Sequence, residues 1–329
     1  MSLALAGCGD DAGGPAGPAD AGGGAADAGG GGPRDGGSVA SDAGSAPGTD
    51  AGVRMSMTVA GGDVMGDWCG DISVTASVTV PAGATLTVCA GSVVTFDASV
   101  GMSVAGTLRL GGTADARISL TSAGRWQGLA VTGTLDGDFT DVRNAGLAIE
   151  GRAGSTLRLD DSTIAVSPQT ISLANGGTFD RTTVTGGNTV LVSGGMLHMT
   201  DSTIDLGHPT ASPDCTVFSA GGAVLDHVRF TGCHCPLHIG AAPGGFTVTA
   251  SVFDDATNPV MIANTAATFH GNHFLGVGTL VLDIGGGITA DVSGNYWGGG
   301  AANIGTSTPS QFTGADVVET MPIAGVGPR

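Results

Sequence analysis

From about Met55 onward the chain alternates apolar and polar residues in short runs, each soon broken by Gly, Asn or Asp. Period-2 alternation rich in β-branched residues marks strands with one buried face, and no window carries capped helical spacing. The span therefore reads as all-β. Its strands also recur. The tetrapeptide Asp-Ser-Thr-Ile occurs at residues 161–164 and again at 201–204. Aligning its apolar end with related segments gives anchors at Asn144, Ile164, Val184, Ile204, Phe230, Phe253, Phe274 and Trp297. The intervals are 20, 20, 20, 26, 23, 21 and 23 residues, a solenoid period with insertions opening in its second half.

Parity then assigns faces. The anchors are mostly apolar and point inward, and the column two residues earlier shares that face. This second column reads Val142, Ser162, Thr182, Ser202, Val228, Ser251, Asn272 and Asn295. Its small hydroxyl and amide groups can bond the rungs above and below. The intervening columns face solvent. One holds Asp141, Asp161, Arg181, Asp201 and His227; the other holds Arg143, Thr163, Thr183, Thr203, Arg229 and His273. At about 22 residues per coil, the span makes about 11–13 coils, a rod roughly 55–60 Å long at ~4.8 Å per rung.

Local motifs extend this picture. Val80-Pro81-Ala82-Gly83, Gly106-Thr107-Leu108, Ile118-Ser119-Leu120-Thr121-Ser122 and Trp126-Gln127-Gly128-Leu129 follow one another at coil-like spacing, and Gly294-Asn295-Tyr296-Trp297-Gly298 closes the series. This pattern resembles the bacterial right-handed parallel β-helix proteins of the pectate-lyase-like superfamily, over roughly residues 70–300. The resemblance implies a right-handed parallel β-helix. It implies little about activity, because that scaffold carries lyases, hydrolases, epimerases, adhesins and inert stalks.

The head of the chain is different. Leu5-Ala6-Gly7-Cys8 resembles the lipobox of bacterial lipoproteins, which makes Cys8 the expected lipidation site and residues 1–8 a remnant of a signal segment. In residues 9–54, 41 of 46 positions are Gly, Ala, Asp, Pro or Ser, and none is aromatic. Such a segment cannot bury enough apolar surface to offset its chain entropy, so it reads as a disordered linker before a β-helix domain at 55–329.

Charge narrows the partners. All 11 basic residues are Arg, against 29 acidic ones, for a net charge of −18. A field of that sign repels nucleic acid, and no stretch nears the ~20 apolar residues of a spanning helix. The expectation is an exported monomer, secreted or attached to the cell envelope (outer membrane or cell surface) only through a lipid, with a polysaccharide or cell-surface component as partner.

Export also favours disulfides. Cys69 and Cys89 stand 20 residues apart, one coil period, which stacks their Cα atoms at about 4.8 Å, inside the disulfide window. Cys215 lies in the longest interval and would pair with Cys233 or Cys235. Cys233, Cys235 and His238 form an alternative metal set, although zinc sites usually space their cysteines more widely.

Catalysis is the competing reading. Asp141, Asp161, Asp201, His227 and Arg229 could form a polysaccharide-cleaving stripe, with Ca²⁺ as cofactor in a lyase. Two carboxylates about 5–9.5 Å apart suffice for glycoside hydrolysis. The assembled polygalacturonase pattern and the Arg-x-Pro-x-x-Arg pattern of pectate lyases are absent, and so is Lys. The sequence therefore favours a non-catalytic structural, adhesive or glycan-binding module. Its binding face would comprise Asp161, Thr163, Thr183, Asp201, Thr203 and Arg143.

Overall fold

The computed structural model describes residues 54–329 except 166–168, 187–189, 208–214, 241–243, 257, 263–264, 277–280, 284–288 and 307–311. Cys8 and all of the linker before Arg54 lie outside the described residues. The strands sort into three sheets of 13, 12 and 12 members. The first sheet begins with Ser56–Val59, the second with Gly62–Asp63 and the third with Gly66–Trp68. The chain visits them in that order and repeats, so each strand pairs in parallel with strands one coil before and one coil after. This is a parallel β-helix, with about the number of coils the periodicity requires.

Alternation builds each rung. In Thr183–Thr185 the buried Val184 sits between two half-exposed threonines, and in Thr156–Asp160 Leu157 and Leu159 point inward. The anchor column is continuous from Ile164 through Val184, Ile204, Phe230 and Phe253 to Phe274. Its aromatic end stacks, with centroid separations of 5.1 Å for Phe230–Phe253, 4.7 Å for Phe253–Phe274 and 4.7 Å for Phe274–Trp297.

The first rung of that alignment is corrected. Ile164 pairs with Val142, not Asn144. Asn144 is an exposed corner residue at φ 56°, and its amide donates to the Ser122 carbonyl at 2.8 Å. The interval there is two residues longer than the next ones. Three assignments move with it: Thr140 replaces Val142 in the inward polar column, Asp141 joins the threonine column, and Arg143 stacks on Ala165.

The polar column has a structural cause. Between the third and first sheets the chain turns at one residue in the left-handed region: Phe139, Asp161, Arg181, Asp201, His227 and Ala250, at φ between 44° and 56°. The next N–H on the chain then points into the core rather than along the ladder, and a buried unpaired donor costs about 1–3 kcal/mol. The column supplies the acceptor from the following coil. Thr140 N–H donates to Ser162 Oγ at 3.1 Å, Thr182 to Ser202 Oγ at 3.0 Å and Val228 to Ser251 Oγ at 3.0 Å. Ser251 N–H donates to Asn272 Oδ1, and Asn272 N–H to Asn295 Oδ1, both at 2.9 Å.

The Trp126-Gln127-Gly128-Leu129 motif is equally mechanical. Trp126 is fully buried, stacks on Phe96 at 4.1 Å and donates to the Arg143 carbonyl at 2.8 Å. Gly128 has φ 102°, and a Cβ there would lie 1.6 Å from the Leu147 carbonyl oxygen. Only glycine passes this point.

Candidate functional site

The outer face of the first sheet carries the residues of interest. One outward column runs Ser119, Asp141, Thr163, Thr183, Thr203, Arg229, Val252, His273 and Tyr296, in strand register throughout. The second outward column runs Ala165, Thr185, Asp205 across the middle coils. The central part, Asp141 to Thr203, is a half-exposed, hydroxyl-rich strip. Thr163, Thr183 and Thr203 therefore lie together as the spacing predicts.

Asp161, Arg181, Asp201 and His227 do not lie on that strand face. They occupy the left-handed corners along its edge, in successive coils. Asp161 and Asp201 are thus separated by Arg181. The Arg181 guanidinium donates to both Asp161 oxygens, at 2.8 and 2.9 Å, and also pairs with Asp180. Its hydrogen bonds hold the Asp161 carboxyl below the usual carboxylate range, and the Arg181 guanidinium is pushed up in return.

The same neutralisation repeats along the edge. Arg117 donates to Asp141 Oδ1 at 2.7 Å and to the Asp161 carbonyl at 2.9 Å, while Arg143 stands 3.6 Å from the other Asp141 oxygen. Arg158 links Asp136 at 2.7 Å and Asp138 at 3.0 Å, and it also pairs with Asp160. Burial pushes the Asp160 carboxyl up, against the opposing pull of Arg158. Arg229 pairs with Asp254, one coil away. Asp201 differs, since its buried Oδ1 has no hydrogen-bond partner.

Arg117 and Arg158 carry this network yet were not among the candidate residues. Their signal was available as register: Arg117 precedes Asp141 by 24 residues and Arg158 follows Asp136 by 22, each about one coil.

His227 is the clearest departure. It was expected to face solvent, but its residue is only 7% exposed. Its Nδ1 lies 3.0 Å from Asp226 Oδ2, and the Arg329 guanidinium contacts the ring's other nitrogen. His273 was likewise expected in solvent, and is half-buried with Nε2 accepting the Ile323 N–H at 2.9 Å.

Both disulfides are present. Cys69 and Cys89 are joined with Cα atoms 4.9 Å apart, as the coil period requires. Cys215 is bonded to Cys233, at a Cα separation of 5.4 Å, and the buried Cys235 lies outside both bridges. This removes Cys233 from the alternative metal set. Cys235 Sγ is 3.0 Å from His234 Nδ1 and 3.2 Å from Met261 Sδ. Among the described residues, no three His, Cys, Asp or Glu side chains converge where a cation could sit. Two disulfides fit an oxidising, extracellular setting.

Surface depressions among the described residues lie elsewhere. One of about 240 Å³ is lined by Gly101, Gln127, Glu150 and Arg152 on the second sheet. Another of about 340 Å³ is lined by Val224, Thr247, Thr268 and Asp291 on the third. Neither includes a residue of the candidate stripe. Comparison with family models, curated proteins and solved structures finds no match to this chain.

Proposed function

We propose that the protein is a non-catalytic module of the cell surface, lipid-anchored through Cys8, whose first sheet offers a preformed strip to an extended polysaccharide or other surface component. The observation that carries this reading is the combination of an ordered hydroxyl strip with a neutralised edge. Asp141, Thr163, Thr183 and Thr203 stack in register, one rung apart. A strip fixed by the backbone ladder loses little entropy when it binds a chain of matching repeat. Asp141 within the strip and Asp161 at its edge are engaged by Arg117 and Arg181. General acid catalysis favours a carboxyl whose proton is held up near working pH, whereas Arg181 draws Asp161 the other way. The lyase or hydrolase alternative therefore loses support at Asp141 and Asp161.

The test is to incubate the protein with acidic and neutral polysaccharides, following both retention and new chain ends. Retention without new ends, abolished by Thr183→Trp, is the expected result. New chain ends that vanish in Asp161→Asn or Asp201→Asn would overturn the reading and make the edge catalytic.

A further inference from the structure

The last described segment returns along the molecule. Val318–Glu319 completes the first sheet against Asn295–Tyr296. The chain then turns back over coils it has already built. Ile323 N–H donates to His273 Nε2 at 2.9 Å, one coil back from Tyr296. Gly327 N–H donates to the Ala250 carbonyl at 2.7 Å, a coil earlier still. Arg329 reaches the His227 ring, another coil on. Gly327 packs so closely that an added Cβ would lie 3.2 Å from Val252 Cγ2. This explains why Val252, in an outward column, is only 6% exposed.

We propose that residues 320–329 are a pH-released strap over the late outer face of the first sheet, latched at His273 Nε2 and let go when that ring is protonated. Most of the segment is exposed, Met321 included, and its hold on the body rests on a few contacts. Segments held this lightly open at low free energy.

The latch has a definite sign. His273 accepts at Nε2, so the closed state requires that nitrogen to be free of a proton. Burial already pushes the ring below its ordinary value. The closed strap is therefore fully stabilised above the ordinary imidazole range near 6.5, and the latch weakens as pH falls through it, by up to ~10-fold per pH unit for His273. The side chain facing His273 is Tyr296, edge-on at 5.2 Å. Facing His227 are Asp226 and the Arg329 guanidinium, with Thr249 bonded to Asp226 at 2.7 Å. Burial alone would raise Asp226, but the bonds from Thr249 and His227 and the charge of Arg329 hold it below the usual range. It therefore remains an anion throughout the window.

Release would uncover Val252, His273 and His227 and lengthen the open strip. The proposal does not depend on what that strip binds. It is tested by hydrogen exchange on the full chain, comparing the Ile323 and Gly327 amides at about pH 7.5 and about pH 5, each corrected for intrinsic rate. The expected result is at least ~10-fold loss of protection at the lower pH, with amides 129–131 unchanged as the control for global unfolding. His273→Gln keeps an acceptor that does not titrate, so this variant should lose the pH response while the strap stays protected. Equal protection of the native strap at both pH values would overturn the proposal, as would a full pH response in His273→Gln.

Discussion

Replacing Asn272 with alanine isolates the polar column. Asn272 is fully buried. Its Oδ1 accepts the Ser251 N–H at 2.9 Å, and its Nδ2 donates to the Val248 carbonyl at 2.9 Å and to Asn295 Oδ1 at 3.0 Å. Alanine strands the Ser251 N–H, which costs about 1–3 kcal/mol, and the other two lost bonds each cost about 0.5–1.5 kcal/mol. Asn295 Oδ1 keeps the Asn272 N–H at 2.9 Å, which trims the total. A loss of about 3 kcal/mol is expected, or ~100-fold in the opening equilibrium. Serine should recover much of it. At the equivalent rung, Ser202 Oγ accepts the Thr182 N–H at 3.0 Å and donates to the Thr200 carbonyl at 2.7 Å. Asn272→Ser should therefore cost about 1 kcal/mol. Stacked coils interact chiefly with their neighbours, so the readout is hydrogen exchange at residues 248–275 together with urea unfolding. An alanine variant losing under about 1 kcal/mol, or a serine variant no better than alanine, would refute the claim that corner N–H groups depend on this column.

Other expectations follow from particular contacts. Phe253→Ala opens a void between Phe230 and Phe274 and should cost about 3–5 kcal/mol in chemical unfolding, against under ~1.5 kcal/mol for Phe253→Leu. Non-reducing peptide mapping should recover Cys69–Cys89 and Cys215–Cys233, with Cys235 alkylated only after denaturation; recovery of a Cys215–Cys235 peptide would contradict the pairing. Arg181→Gln should return the Asp161 carboxyl toward its ordinary value in a carboxyl NMR titration. The Asp161 pair contributes above the unfolded value near 3.9 and is lost as pH falls through it toward the lower folded value, by under ~1 kcal/mol because Arg181 is half-exposed.

Much of the fold was legible because a solenoid repeats one local rule. Ile164, Val184 and Ile204 announce their column by spacing, and Ser162, Thr182 and Ser202 announce theirs by parity. Register is more fragile, since it is counted from an anchor and carries every later assignment with it. The polar Asn144 in an apolar column marked the slip, and Val142 two residues earlier satisfies the same parity. The cysteines show another limit. A strict 20-residue period favours Cys235 for Cys215, yet the bond goes to Cys233, 18 residues away. Cys233 lies in the connection before Leu237–Ile239, where no ladder enforces the period.

The candidate site was harder because chemistry and architecture use the same residues. A column of aspartates on the outside of a β-helix resembles a cleavage site when read alone. Two of its members, Asp141 and Asp161, prove to be ion-paired once the arginines one coil away are counted, and that pairing exists only in the correct register. Arg117 meets Asp141, and Arg181 meets Asp161, through spacings of 24 and 20 residues that no local motif connects. The strap lies further still from sequence reasoning, since Arg329 and His227 are 102 residues apart and obey no repeat. Yet both features trace to one geometric fact. A parallel β-helix aligns equivalent positions of successive coils, so side chains at a corner meet whatever lies one coil away. In the early coils the neighbour is an arginine and the carboxylate is neutralised. In the late coils the corner and strand histidines are instead met by a segment that could be withdrawn. The difference between an inert edge and a responsive one thus comes down to whether the partner belongs to the ladder.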